Sequence, residues 1–129
     1  MYRLLMILFA LSTTATAGEI DQAAALEALK QQNAVLVDVR TADEYAEGAL
    51  PGSIRIETDE LRDRIAAVAP DKNQPVVLYC RSGRRSSAAQ DLLQQLGYSQ
   101  VINGGGYDQF REAIESRQRT ALQQASPIP

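Results

Sequence analysis

Hydrophobic and polar residues alternate along the chain in short blocks, and these blocks predict strands and helices in turn. Short apolar stretches typical of buried strands predict four strands, at residues 34–39, 53–56, 75–79 and 100–102. Apolar residues at helical spacing predict five helices, at residues 21–32, 41–47, 61–68, 88–96 and about 107–119. This alternation indicates an α/β domain with a central parallel sheet and helices on both faces.

Signals that begin and end such elements are also present in the chain. Thr41, followed three residues later by Glu44, forms a capping box at a helix start, and Gly48 ends that helix. Gly97 is predicted to cap the helix that precedes it. Residues 103–106 read Asn-Gly-Gly-Gly and are predicted to form a loop that needs positive φ. A phosphate-binding loop is disfavoured there, because no GxGxxG pattern follows a strand.

Cys80 is the only cysteine in the 129 residues, and it stands where the third predicted strand ends and a helix follows. Ligands of open parallel sheets bind beyond the carboxyl ends of the strands. Backbone N–H groups at a helix start bind anions and lower the pKa of a thiol there, as do nearby arginines. The residues that follow supply such groups: Arg81, Ser82, Gly83, Arg84, Arg85 and Ser86. The sequence therefore predicts a reactive thiolate facing a bound anion, with Arg85 as the best-placed cation.

Each of these residues also has a plainer interpretation. A free cysteine is commonly a small buried hydrophobic residue, although the strand–loop–helix context favours a chemical role. Arg81 and Arg84 are equally well explained as solvated surface residues, and that alternative stays open. Asp38 and Arg40 are interpreted as scaffold residues that pair or cap within the domain.

The composition excludes several other mechanisms. The chain has no histidine, so it has no Cys–His dyad, no Ser–His–Asp triad and no histidine metal site. A single cysteine forbids a CxxC redox pair. The sequence predicts neither a metal nor a cofactor, and the backbone and the arginines must activate Cys80. The net charge of −3 argues against nucleic acid or an anionic membrane as a partner.

Residues 1–17 have the pattern of a secretory signal peptide. Arg3 precedes an apolar run at residues 4–11, and Ala15-Thr16-Ala17 supplies small residues for cleavage. The apolar run is short for a membrane span, although an uncleaved anchor is the alternative. Cleavage would make Gly18 the first residue of a single domain at residues 18–129, and the expected compartment is the periplasm. The tail at residues 126–129 is expected to fray.

Three motifs in this chain resemble those of the rhodanese family. The first is Leu36-Val37-Asp38-Val39-Arg40, followed by Glu44-Tyr45, Gly48 and Pro51-Gly52. The second is the active-site loop that begins at Cys80, and the third is Gly104-Gly105 with Tyr107. The resemblance covers about residues 20–115. Ala49 and Ser53 depart from the residues that are frequent in the family, at positions away from the expected chemistry, and Tyr107 in place of the frequent Trp is a mild change.

The resemblance implies a single rhodanese-like domain with sulfurtransferase activity. By analogy with the family, the Cys80 thiolate attacks the outer sulfur of thiosulfate, releases sulfite and becomes a persulfide. Cyanide in the test tube, or a thiol in the cell, then accepts that sulfur. The family's substrate-binding loop corresponds here to Arg81, Ser82, Gly83, Arg84, Arg85 and Ser86.

Two other classes of function remain open at this point. A small-anion cysteine phosphatase or arsenate reductase uses a similar loop. Related phosphatases, however, place five residues between cysteine and arginine, whereas four separate Cys80 from Arg85. A non-catalytic rhodanese-like binding module is the other alternative, and the intact Cys80 loop counts against it.

Overall fold

Four parallel strands form the centre of the fold in a computed structural model that describes residues 19–125. The strands are β1 (Val35–Asp38), β2 (Ile54–Arg55), β3 (Val76–Cys80) and β4 (Val101–Gly106), in the order β2-β1-β3-β4. The registers pair Asp38 with Tyr79 and Cys80 with Gly106. Because all four strands run in one direction, the ends of β1 and β3 meet at the same edge of the sheet.

Residues 19–125 contain five α-helices, and four of them have buried residues that pack on the sheet. The five are α1 (Gln22–Ala28), α2 (Ala42–Glu47), α3 (Leu61–Val68), α4 (Arg84–Gln95) and α5 (Tyr107–Ala125), with a 3₁₀ turn at Thr58–Glu60. Buried residues of α3 and α4 pack in one core cluster, and those of α1 and α5 pack in the other. The predicted α/β fold, with a parallel sheet and helices on both faces, is therefore confirmed.

Strand β3 is buried on both faces, so helices must cover both faces of the sheet. All five of its residues are buried, as a continuous apolar run predicts. Val76, Leu78 and Cys80 point into the α3/α4 cluster, whereas Val77 and Tyr79 point into the α1/α5 cluster. The thiol consequently lies on the face that α4 covers.

The prediction of a loop at residues 103–106 is wrong. These residues form the second half of β4, with a register shift that leaves Gly104 without a paired residue between Asn103 and Gly105. Gly105 has a φ of 92°, and a Cβ atom on Gly104 would lie 2.9 Å from the Phe110 ring. The glycines thus allow a bulged strand to pass close to α5.

The helix boundaries agree with the sequence in part. The capping box of Thr41 and Glu44 and the end of α2 at Gly48 are confirmed. Helix α1 ends at Ala28 instead of residue 32, and turns continue to residue 33. Helix α5 runs on to Ala125, past the expected residue 119. The proposed signal peptide at residues 1–17 and the tail at residues 126–129 lie outside the described residues.

Within residues 19–125, no helix has both the length and the apolar character needed to cross a membrane.

Candidate active site

The loop between β3 and α4 holds Cys80 at the carboxyl edge of the sheet. Cys80 is the last residue of β3, and α4 begins only four positions later, at Arg84. Gly83 makes this sharp turn possible because its φ of 92° lies in the left-handed region. Cys80 has no exposed surface. The turn therefore places a buried thiol beneath the first turn of α4.

Hydrogen-bond donors from the loop converge on the sulfur. The backbone N–H of Gly83 donates to Cys80 Sγ at 2.8 Å, and the Ser86 hydroxyl lies 3.4 Å from the same atom. Burial raises the pKa of the Cys80 thiol, but hydrogen bonds from the Ser86 hydroxyl and from the N–H groups of Ser86, Ser82 and Gly83 outweigh it. The net result is a thiol whose pKa lies below its ordinary value. Hydrogen bonds of the loop, more than the arginines, stabilise this thiolate.

Close packing against β4 fixes the shape of the loop. A Cβ atom on Gly106 would lie 2.8 Å from the carbonyl oxygen of Arg81, so only glycine fits there without a shift. On its other side, the loop meets Ile20, whose Cδ1 would lie 2.7 Å from a Cβ atom on Gly83. The first described residues of the chain therefore help to hold the loop.

The three arginines of the loop differ in their surroundings. Arg81 and Arg84 are exposed, as is Ser82. Arg85 is partly buried and forms two hydrogen bonds with the Glu44 carboxylate, at 2.9 Å and 3.1 Å. Of the arginines predicted around the thiol, Arg85 alone is held in place by a salt bridge among the described residues.

The sequence predicts Glu44 as a capping residue but does not reveal its second role, as the partner of Arg85. Its Oε1 atom accepts hydrogen bonds from the N–H and the hydroxyl of Thr41, both at 3.1 Å, in addition to one from Arg85. The Arg85 hydrogen bond, aided by those from Thr41, lowers the pKa of Glu44 to about 2 against the opposing effect of burial. Glu44 and Arg85 lie 41 positions apart. The only sequence signal for their contact is that each follows a strand, β1 or β3, whose carboxyl ends meet at one edge of the sheet.

Asn103 is a buried residue of the site that the sequence did not reveal. Its side-chain oxygen accepts hydrogen bonds from the Ser86 hydroxyl at 2.7 Å and from the Gly105 N–H at 2.9 Å. Its amide nitrogen donates to the Ser87 hydroxyl at 2.9 Å. Asn103 thereby links β4 to the first turn of α4, and its partner Ser86 also contacts the Cys80 thiol.

Asp38 and Arg40 form a buried ion pair, which confirms that they are scaffold residues that pair within the domain. Arg40 donates to Asp38 Oδ1 at 3.0 Å and to Asp38 Oδ2 at 2.7 Å. The Tyr79 hydroxyl donates to Asp38 Oδ2 at 2.6 Å, and burial followed by this bond raises the pKa of Tyr79 to about 12. The Arg40 guanidinium also stacks 4.4 Å from the centroid of the Tyr107 ring. These contacts among Asp38, Arg40, Tyr79 and Tyr107 hold the carboxyl ends of β1 and β3 together.

The loop at residues 80–86 provides a nucleophile, the Cys80 thiolate, and an anion cradle, which is the set of N–H groups of this loop that face the sulfur. A thiolate with several N–H donors around it can attack an electrophilic sulfur and then stabilise a persulfide. Within residues 19–125, no cluster of three or more His, Cys, Asp or Glu side chains is arranged to hold a metal ion.

Comparisons with known proteins agree with this geometry. The model of the rhodanese-like domain family matches residues 21–113. Thiosulfate sulfurtransferase PspE of Escherichia coli is 41% identical over 70 residues, which cover 54% of this chain and 67% of that protein. Thiosulfate sulfurtransferase GlpE of Pseudomonas savastanoi pv. phaseolicola is 36% identical over 86 residues, which cover 66% of this chain and 79% of that protein.

A solved structure described as a rhodanese with anions from E. coli has a TM-score of 0.57 and 39% identity to this chain. The alignment covers 58% of this chain and 88% of that one. The chain belongs to the rhodanese-like domain family. It is an enzyme of the rhodanese class, a sulfurtransferase.

Proposed function

We propose that this protein is a thiosulfate sulfurtransferase that carries the transferred sulfur as a persulfide on Cys80. The observation that carries the proposal is the contact between the Gly83 N–H and Cys80 Sγ, at 2.8 Å, in a loop that lowers the pKa of the thiol. Relatives named thiosulfate sulfurtransferase support thiosulfate as the donor.

The proposed reaction has two half-reactions that balance. In the first, the Cys80 thiolate attacks the outer sulfur of thiosulfate. The bond between the two sulfurs of thiosulfate breaks, and its electron pair leaves with sulfite. In the second, an acceptor such as cyanide or a thiolate attacks the outer sulfur of the persulfide, and Cys80 returns as a thiolate. Backbone N–H groups stabilise the negative sulfur in each state.

The loop residues have separate parts in this proposal. Gly83 and Ser86 stabilise the sulfur directly, because their donors already lie beside it. Ser82 contributes a backbone N–H, and Arg81 and Arg84 are exposed and attract the anionic donor. Since Cys80 is buried, the donor reaches Sγ only when the residues that cover it move aside.

Intact mass spectrometry tests this function. Incubation with thiosulfate should add one sulfur atom to the protein, and cyanide should remove it as thiocyanate. Cys80→Ser is the control, and it should show neither step. A Cys80→Ser protein that still gains sulfur would contradict the mechanism.

The same experiment separates the other two classes of function. An unmodified wild-type protein that hydrolyses a phosphate ester would favour the phosphatase alternative. A protein that does neither would favour a binding module. The spacing of four residues between Cys80 and Arg85 supports sulfur chemistry over the phosphatase alternative, and the intact Cys80 loop counts against a binding module.

We also propose that the protein acts in the periplasm after removal of residues 1–17. The support comes from Arg3, the apolar run at residues 4–11 and the small residues before Gly18. Mass spectrometry of protein from the periplasmic fraction should show Gly18 as the first residue. Recovery of the full-length chain from the membrane fraction would contradict this.

A further inference from the structure

The Glu44 carboxylate and the Arg85 guanidinium form a two-point ion pair at the edge of the anion cradle. Arg85 Nη1 donates to Glu44 Oε1 at 2.9 Å, and Nη2 donates to Oε2 at 3.1 Å. The Glu44 side chain is 20% exposed and that of Arg85 is 37% exposed, so water only partly screens the pair. One edge of the guanidinium is consequently occupied before any ligand arrives.

The position of this carboxylate is fixed independently of Arg85. Glu44 is the third residue of α2, and its side chain closes the capping box with the N–H and the hydroxyl of Thr41. A carboxylate anchored in this way stays beside the loop even when Arg85 moves. The negative charge is therefore a built-in part of the cradle.

We propose that Glu44 determines the charge preference of the site, an inference that rests on the proposed sulfurtransferase function. By neutralising Arg85, Glu44 limits the attraction of the cradle for dianions in general. Sulfate and phosphate lack the transferable outer sulfur of thiosulfate. A free Arg85 would nevertheless attract them as strongly as it attracts thiosulfate. With Arg85 paired, charge alone holds a dianion less firmly in the cradle, and only an anion with a transferable outer sulfur goes on to react with the Cys80 thiolate.

Glu44→Gln is a conservative test of this role. Glutamine at this position can still accept the hydrogen bonds of the capping box, so α2 keeps its N-terminal structure while the charge is lost. Glu47→Gln is the matched control, since it removes the same charge from the same helix. Glu47 is exposed, and it forms no salt bridge with a described residue.

The first measurement compares two reagents that alkylate Cys80, anionic iodoacetate and neutral iodoacetamide. Both react with the thiolate, so the ratio of their rates cancels any change in the thiolate fraction and in loop opening. Glu44→Gln should raise the ratio of iodoacetate to iodoacetamide by roughly fivefold, the size expected for one charge near the surface. Glu47→Gln should leave the ratio close to that of the wild type.

A second variant gives an effect of opposite sign. Arg85→Gln leaves the Glu44 carboxylate uncompensated, and the ratio should fall below that of the wild type. Sulfate provides a further probe, because it should protect Glu44→Gln from iodoacetamide at several-fold lower concentration than it protects the wild type. Added salt should reduce the gain of Glu44→Gln.

Failure of this inference can be told apart from failure of the proposed function. If thiosulfate puts no sulfur on the wild-type protein, the proposed function fails, and the alkylation ratios still report the charge at the site. If the wild type takes up sulfur but Glu44→Gln changes neither the ratio nor the sulfate protection, the role of Glu44 is refuted. An equal rise in Glu47→Gln would also refute it, since the effect would then reflect overall charge.

Discussion

The side-chain oxygen of Asn103 lies 2.7 Å from the hydroxyl oxygen of Ser86, and that hydroxyl lies 3.4 Å from the Cys80 sulfur. A hydroxyl has one hydrogen, so Asn103, the thiol and the Gly83 carbonyl oxygen, which lies 3.0 Å away, compete for the same donor. The bond to Asn103 fixes the hydroxyl beside the sulfur, and rotation of the hydroxyl delivers its hydrogen to a thiolate. Strand β4 therefore positions a group that stabilises the charged thiol.

Asn103→Ala should destabilise the protein strongly. The substitution leaves the buried Gly105 N–H without its acceptor and removes the link to Ser86 and Ser87, so we expect a loss of about 2–4 kcal/mol. Urea denaturation measures this change in the free energy of unfolding. Asn33→Ala, at an exposed asparagine, is the control and should have a small effect. A change of less than about 0.5 kcal/mol at Asn103 would show that the network is unimportant for stability.

Ser86→Ala should raise the pKa of Cys80. The hydroxyl lowers this pKa more than any other hydrogen bond does, so its loss destabilises the thiolate relative to the thiol. The pH dependence of iodoacetamide alkylation should shift to higher pH in Ser86→Ala. Arg85→Ala should cause a smaller shift in the same direction, together with weaker thiosulfate saturation.

Ser87→Ala is the matched control for that experiment. Its hydroxyl lies one residue further along α4 and donates to the Gly83 carbonyl oxygen at 2.8 Å rather than to the thiol. A pH profile that shifts equally in Ser86→Ala and Ser87→Ala would indicate a general loosening of the loop, and the hydroxyl would have no specific effect on the thiolate.

The sequence predicts this site to the extent that its parts are contiguous. Strand β3, Cys80 and the first turn of α4 follow one another, and local patterns therefore locate the thiol and its N–H donors. The partners Glu44 and Asn103 come from other elements, 41 positions from Arg85 and 17 from Ser86. Such pairs depend on strand order and register, which local patterns do not specify.

The errors in the predicted elements also have physical causes. Asn103 and the glycines after it disfavour a strand in isolation, but β4 must pass close to Phe110 and to the Arg81 carbonyl, and glycine alone fits there. Helix α1 ends early because residues 31–33 are exposed, so packing against the sheet does not extend the helix. Tertiary packing therefore determines both the strand at residues 103–106 and the end of α1.

Gly83→Ala should disturb both the stability and the chemistry of the loop. Alanine is strained at a φ of 92°, and its Cβ atom would lie 2.7 Å from Ile20 Cδ1. We expect a loss of about 1–3 kcal/mol in urea denaturation and slower sulfur uptake from thiosulfate. Gly52→Ala is the control, because its φ of 79° imposes similar strain but no atom lies within 4 Å of the added methyl group. Equal effects of the two variants would mean that backbone strain alone matters.

Asp38→Asn should be more damaging to folding than Tyr79→Phe. The first change leaves the buried Arg40 guanidinium without its counter-ion, at a cost of about 3–5 kcal/mol. The second removes a hydroxyl that bonds to Asp38 and accepts the Leu50 N–H, at a cost of about 1–3 kcal/mol. Thermal and urea denaturation of the two variants would rank them. The reverse order would show that the charge of Asp38 contributes little to stability.

Acid should weaken the wild type more than it weakens Glu44→Gln. The pKa of Glu44 is about 2 in the folded protein, below its ordinary value of 4.5, so the pair with Arg85 contributes its full stability above pH 4.5. That contribution is lost as the pH falls from 4.5 towards 2, because the carboxylate of the unfolded chain takes up a proton in this range while the folded one, paired with Arg85, stays ionised. For a partly exposed pair, we expect about 1 kcal/mol after solvent screening. Urea denaturation at about pH 7 and about pH 2.5 should therefore show a larger drop for the wild type and for Glu47→Gln than for Glu44→Gln. Identical drops in all three proteins would show that the ion pair adds nothing to stability, even though its geometry holds Arg85 in place.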